Sequence, residues 1–136
     1  MANPDIQVIS SLVVQRENGD VLLVRYSPDD ERWWLPGDDL VPYEHPDDAA
    51  KRFLERDAPG LGCGEPRMLF VESFRGRRGW HVIFHYAVEA RGTALGGMEG
   101  GCETAWFPPH DLPRTFHGSW ERKVIERALE LTAARQ

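Results

Sequence analysis

Most of the side chains in this chain that could act together chemically lie in WLPGDDLVPYEHPDDAAKRFLERDAPGL, residues 34–61. Pro36 and Gly37 open a loop, Glu44 ends it, and Arg52 follows on a segment with helical patterning. A loop that feeds a helix start is a layout suited to phosphates, because backbone N–H groups and the helix dipole both favour anions there. Cleaving a phosphoanhydride also requires charge neutralisation and an activated water, work usually given to Mg2+ held by carboxylates. Acids at positions i, i+3 and i+4 of a helix converge on one face and can share such ions. The positions that follow Arg52 with this spacing hold Phe53, Arg56 and Asp57, whose formal charges of 0, +1 and -1 cancel.

The elements that position this stretch can be read from patterning. Ile6 to Arg16 is rich in β-branched residues, and Asn18-Gly19 separates it from Val21 to Tyr26, a strong hairpin signal. Ser27 to Arg32 is a polar loop that delivers Trp33-Trp34-Leu35 to Pro36-Gly37. The spacing predicts a helix over 46–58: Pro46 suits a first turn, Asp47 and Asp48 suit its positive end, and Ala49, Ala50, Phe53, Leu54 and Ala58 make one apolar stripe. Pro59-Gly60 stops it. Met68 to Phe74 and Trp80 to Glu89 read as strands joined by the basic tip Arg75 to Gly79. Thr104 to Phe107 reads as a last strand, and Ser119 as the cap of a helix with Trp120, Val124, Ile125, Ala128, Leu129 and Leu131 at helical spacing.

No repeat or linker divides the 136 residues, so a single domain over 1–136 is expected, with a mixed sheet held between helices, an α+β arrangement. A net charge of -6 argues against duplex nucleic acid as a partner. No apolar run reaches the roughly 18 residues of a membrane span, and the start lacks the features of a leader, so a cytoplasmic protein without a membrane partner is expected. Cys63 and Cys102 have neither metal spacing nor a disulfide framework around them.

Residues 38–61 resemble the signature of the Nudix hydrolase superfamily, MutT-like proteins, G-x5-E-x7-R-E-U-x-E-E-x-G-U with U a bulky aliphatic. Glu44 and Arg52 keep the seven-residue spacing, Leu54 takes the aliphatic place, and Trp34-Leu35-Pro36-Gly37 looks like the usual lead-in. The order of the remaining elements also matches, through Trp106-Phe107-Pro108 to the closing helix. The resemblance implies an α/β/α sandwich and pyrophosphohydrolase chemistry with Mg or Mn as cofactor. It also implies a nucleotide-type small molecule as partner and homodimers as a frequent assembly.

Carried over residue by residue, the resemblance makes Glu44, Arg52, Asp57 and the loop acid Glu99 the catalytic candidates. Gly37, Glu44 and Asp57 become the metal candidates. The departures are Asp38 for a glycine, Phe53 and Arg56 for two glutamates, Asp57 for a third, and Pro59 as an extra residue before Gly60. Losing one outer-shell partner of a metal typically costs ~10–100-fold in affinity; with two ligand places gone, a site at least ~100-fold weaker is expected.

Each candidate has a second reading. Glu44–Arg52 is either part of a site or an ion pair tying loop to helix. Phe53 is core, or the lining of a pocket for something other than Mg2+; Arg56 is a surface charge, or a fixed cation touching phosphate in the metal's place. Trp33 and Trp34 could stack on a base, although two consecutive strand residues face opposite ways. Arg77, with Arg75 and Arg78, is a solvated turn or a phosphate contact. Glu103 is a second loop acid, and His81 and His85 share a strand face with Ile83 as hydrogen-bonded core or rim histidines. Two functions follow: a nucleotide-binding domain with an eroded metal site and weak or no hydrolysis, or a pyrophosphohydrolase using an irregular acid set.

Overall fold

A computed structural model describes residues 5–27, 29–92 and 103–134. Its strands are β1 (Ile6–Gln15), β2 (Val21–Arg25), β3 (Gly37–Asp39), β4 (Arg67–Gly76), β5 (Gly79–Glu89) and β6 (Glu103–Phe107). Its helices are α1 (Pro46–Asp57) and α2 (Trp120–Ala133). The strands form one mixed sheet in the order β4-β5-β1-β2-β6, with β3 added alongside β1. β1 runs parallel to β5 over its whole length, from Ile6 opposite Trp80 to Gln15 opposite Glu89. The hairpins β1–β2 and β4–β5 are antiparallel.

Alternation along the strands builds a layer on each face. Leu12, Val14, Leu22, Tyr86 and Val88 pack with Ala49, Ala50 and Phe53 of α1. Val13, Val21 and Leu23 point the other way and pack with Val124, Ile125 and Ala128 of α2. The sheet between two helices is the expected α/β/α sandwich.

α1 is anchored at its first turn. His45 Nδ1 accepts from the Asp47 backbone N–H at 3.1 Å, Ser10 Oγ donates to Pro46 O at 2.9 Å, and buried Tyr86 donates its hydroxyl to Asp47 at 2.5 Å. Burial, followed by the Asp47 carboxylate, pushes the Tyr86 hydroxyl well above the ordinary tyrosine range.

Three local features differ from the sequence reading. The tip between β4 and β5 is only Arg77-Arg78, because both strands continue to Gly76 and Gly79. Ser119 occupies the N-cap of α2 but makes no side-chain capping bond; the adjacent loop is held by Glu121 instead. The stretch after Pro36 is strand β3, its register with β1 running from Ser11 opposite Gly37 to Ile9 opposite Asp39. A Cβ on Gly37 would lie 2.3 Å from Ser10 O, so this strand depends on glycine.

Candidate functional site

The loop from Gly37 to Glu44 and helix α1 meet in two arginine–carboxylate clusters. In the first, Arg52 donates from Nε to Glu44 Oε2 at 2.9 Å and from Nη2 to Glu44 Oε1 at 2.8 Å. Glu44 Oε1 also accepts from the Val41 backbone N–H at 3.1 Å, while Arg52 Nη2 reaches Asp39 O at 3.4 Å. Two parallel charge-assisted bonds fix both groups, and the guanidinium holds the Glu44 carboxyl below its ordinary range. The seven-residue spacing therefore brings Glu44 and Arg52 together as loop-to-helix pins.

The second cluster lies one turn further along α1. Arg56 donates to Asp57 from Nε to Oδ1 at 2.7 Å and from Nη2 to Oδ2 at 2.9 Å. Nη1 donates to Asp38 at 3.0 Å, and Nη2 also faces the Tyr26 hydroxyl at 3.1 Å and Gly37 O at 3.4 Å. The Asp57 side chain is 1% exposed and also accepts from Tyr26 at 3.3 Å, whereas Arg56 is 38% exposed. Bidentate bonding to Asp57 is the main cause that raises the Arg56 pKa above its ordinary value.

The guanidinium thus touches both metal candidates at this end of the site, Gly37 and Asp57. Phe53 lies beneath it: the ring is fully buried in the core, with Arg52 and Arg56 stacked over it at 4.5 and 5.0 Å. The Arg56 cation lies between a carboxylate and an aromatic face.

The oxygens of the metal candidates are all engaged by arginines. Both Glu44 oxygens accept from Arg52, both Asp57 oxygens from Arg56, and Gly37 O faces Arg56. A divalent ion at these oxygens would share the carboxylates with the arginines and lie against the fixed positive charge of Arg56. Among the described residues no cluster of His, Cys, Asp and Glu is placed to hold a metal. Glu99 lies outside the described residues.

The remaining candidates separate. Trp33 is 8% exposed and belongs to the core, with Phe107 against it at 5.0 Å and Arg25 over its ring. Trp34 faces away from it and stacks on Phe116 at 3.8 Å, with Tyr26 at its edge, 6.0 Å away. Arg77 is exposed at the β4–β5 turn, and Glu103 pairs with Arg25 across β6 and β2. His85 is buried and its Nε2 lies 2.6 Å from Glu72, while His81 stacks on Phe74. A cleft of about 460 Å³ runs between the start of β1 and the loop Asp39 to Glu44, walled by Ile6, Val8, Leu40, Val41 and Tyr43.

Sequence reasoning named Asp38 only as a departure from the signature and Trp120 only as an apolar helix residue, and did not single out Tyr26 or the pair His117–Glu121. Tyr26 and Asp38 were readable as polar residues at the ends of predicted segments; their convergence on Arg56 depends on β2 and β3 both flanking β1.

The family model for the NUDIX domain matches residues 6–128. No curated protein matches the chain in sequence. Among solved structures, a UDP-X diphosphatase superposes with a TM-score of 0.78 at 16% identity, over 100% of this chain and 67% of that one. An ADP-ribose pyrophosphatase from Streptococcus suis gives 0.70 at 19% identity, over 96% of this chain and 92% of that one. The NUDIX domain of Shewanella oneidensis NrtR, complexed with ADP ribose, gives 0.69 at 22%, over 96% and 89%. These structures share the fold with this chain, and the family match extends over nearly its whole length: the chain belongs to the NUDIX domain family.

Proposed function

We propose that this chain is a NUDIX-domain protein that binds a nucleoside diphosphate derivative through the loop–helix face and turns it over weakly or not at all. The observation that carries the reading is Arg56: its guanidinium lies against Gly37 O and both Asp57 oxygens, the groups that would otherwise be free for a metal. In Mg- or Mn-dependent hydrolysis the ion supplies charge neutralisation and an activated water. Here Arg56 supplies only the first. Of its five N–H groups, one on Nη1 is not used by Asp57, Asp38, Tyr26 or Gly37 and can donate to a phosphate oxygen. Arg52 and Glu44 keep the loop in place, and Trp34 lines the approach beyond Tyr26.

The choice of ligand class is supported by likeness: an ADP-ribose pyrophosphatase, a UDP-X diphosphatase and a NUDIX domain complexed with ADP ribose share the fold. Arg77 remains a proposed phosphate contact, and homodimerisation a proposed assembly. No described helix is long and apolar enough to cross a membrane, and we place the protein in the cytoplasm as part of the same proposal.

The test is incubation with nucleoside diphosphates, triphosphates, nucleotide sugars and ADP-ribose in Mg2+ or Mn2+, products followed by mass spectrometry beside an Asp57→Asn, Glu44→Gln control. The expected result is no cleavage above the control together with measurable binding of one ligand class. Metal-dependent cleavage lost in the control would establish the hydrolase instead, with an acid set drawn from Glu44, Asp57 and Glu99.

A further inference from the structure

β4 ends the strand order β4-β5-β1-β2-β6, and among the described residues only β5 pairs with it. The strand runs for ten residues with neither lysine nor proline inside it, two common means of blunting an edge. Met68 and Val71 on it are 46% and 48% exposed. β6, at the opposite edge, has five residues, all half-buried. An exposed, apolar edge of this length is a template for another strand.

A bulge sorts the side chains along β4. Met68 lies opposite Tyr86 and Phe70 opposite His85, so Leu69 is the extra residue. In a regular strand, residues three or five apart face opposite ways. Here Met68 and Val71 both stand on the α1 side of the sheet, opposite Tyr86 and Phe84. Arg67 and Glu72 both stand on the α2 side, opposite Ala87 and Ile83. Arg67 makes no ion pair among the described residues. Glu72 turns Oε1 to His85 at 2.6 Å, and its Oε2 has no partner among them. Arg127 adds a charge on the α2 side, its guanidinium lying over the Phe70 ring at 5.0 Å.

These placements make the edge complementary to itself. When it meets the same edge antiparallel, about a two-fold axis between Leu69 and Phe70, Arg67 comes opposite Glu72 of the second copy and Met68 opposite its Val71, each pair occurring twice. Residues opposed in an antiparallel pair share a face, and the bulge is what allows these to do so. Both copies also bend at the same point, so the bulge that would turn the edge away from a regular strand matches its own image. Opposite charges and apolar pairs across strands are the contacts that hold a sheet together. Arg75 falls outside the paired stretch 67–72, so no like charges stand opposite one another within it.

We propose that two copies of this chain join edge to edge through β4, continuing one sheet across a two-fold axis, with Arg67 of each copy paired to Glu72 of the other. This inference gives the homodimer proposed above its surface, and it stands apart from what the loop–helix face binds.

The test is sedimentation velocity over a range of protein concentrations on the wild type and Arg67→Glu. It is joined by non-reducing electrophoresis of a Met68→Cys, Val71→Cys variant after mild oxidation, beside the wild type with its own Cys63 and Cys102. The expected result is a concentration-dependent dimer in the wild type, about tenfold weaker in Arg67→Glu, where two attractions per dimer become two repulsions. A disulfide-linked dimer forms in the cysteine variant and not in the wild type. All three substituted positions are exposed, so the circular dichroism spectrum stays that of the wild type. A wild type that is monomeric throughout overturns the homodimer and this surface together. A dimer as strong in Arg67→Glu as in the wild type, or a cysteine variant that yields no linked dimer, overturns this surface alone and leaves the homodimer standing.

Discussion

Arg56 and Asp57, neighbours in sequence, form a bidentate pair at 2.7 and 2.9 Å in which the carboxylate is buried and the guanidinium reaches solvent. Consecutive helical residues diverge by about 100°, so the Arg56 side chain must curl back over Phe53 to meet its neighbour. That geometry lets one side chain satisfy Asp57, Asp38, Tyr26 and Gly37 together.

Removing the cation strands the anion. Arg56→Met is expected to destabilise the fold by about 3 kcal/mol, the low end of the cost of leaving a buried carboxylate unpaired, because Tyr26 still donates to it. Arg56→Met with Asp57→Leu should recover most of that loss, since a buried pair replaced by apolar groups is often neutral. Urea unfolding of the two variants and the wild type measures both effects.

Tyr43 is fully exposed and holds a left-handed backbone conformation, φ +68°, immediately before Glu44. A tyrosine there gains nothing from burial and bears steric strain that glycine avoids. Tyr43→Gly is therefore expected to stabilise the loop by about 1 kcal/mol, visible as a higher urea midpoint with an unchanged m-value. If the side chain serves a ligand in the adjoining cleft, the same substitution weakens binding despite the gain in stability.

Folding stability should fall in mild acid through His85. Burial holds its pKa below the ordinary 6.5, with the Glu72 hydrogen bond opposing this. As pH drops through 6.5 the unfolded chain takes up a proton that the folded chain refuses, so stability declines until the lowered folded value is reached. Nε2 faces Glu72, and among the described residues the buried Nδ1 has no partner, a poor place for an added proton. Urea unfolding at a series of pH values below 7 should show a shallower loss for His85→Phe than for the wild type.

Restoring acid at position 53 is a poor test of activity, because Phe53 is a buried core ring and Phe53→Glu would bury a charge. Arg56→Glu is the informative substitution. It removes the guanidinium beside Gly37 O and Asp57 and adds a carboxylate one residue away, so it should create measurable Mn2+ affinity even where the fold is weakened.

Much of the architecture was legible because it is local. The Asn18-Gly19 turn, the α1 stripe of Ala49, Ala50 and Phe53, and the apolar spacing of α2 each rest on a periodicity that survives tertiary packing. Parallel pairing of β1 with β5 was not legible in that way, since about seventy residues separate opposed positions such as Ile6 and Trp80. The site divided along the same line. Glu44 and Arg52 are eight residues apart and their pairing follows from loop and helix spacing, whereas Arg56 meeting Asp38 and Tyr26 needs three strands in register. Trp33 and Trp34 showed that residue type alone decides little: one completes the core and the other faces the site.

The most direct measurement is a titration of the wild-type protein and Arg56→Glu with Mn2+, free ion followed by electron paramagnetic resonance. The proposal that the Arg56 guanidinium takes the place of the metal predicts no stoichiometric site in the wild type at concentrations where Arg56→Glu retains an ion. Stoichiometric Mn2+ bound by the wild type and lost in Asp57→Asn would contradict the account, because Asp57 would then be a metal ligand and not the partner of Arg56.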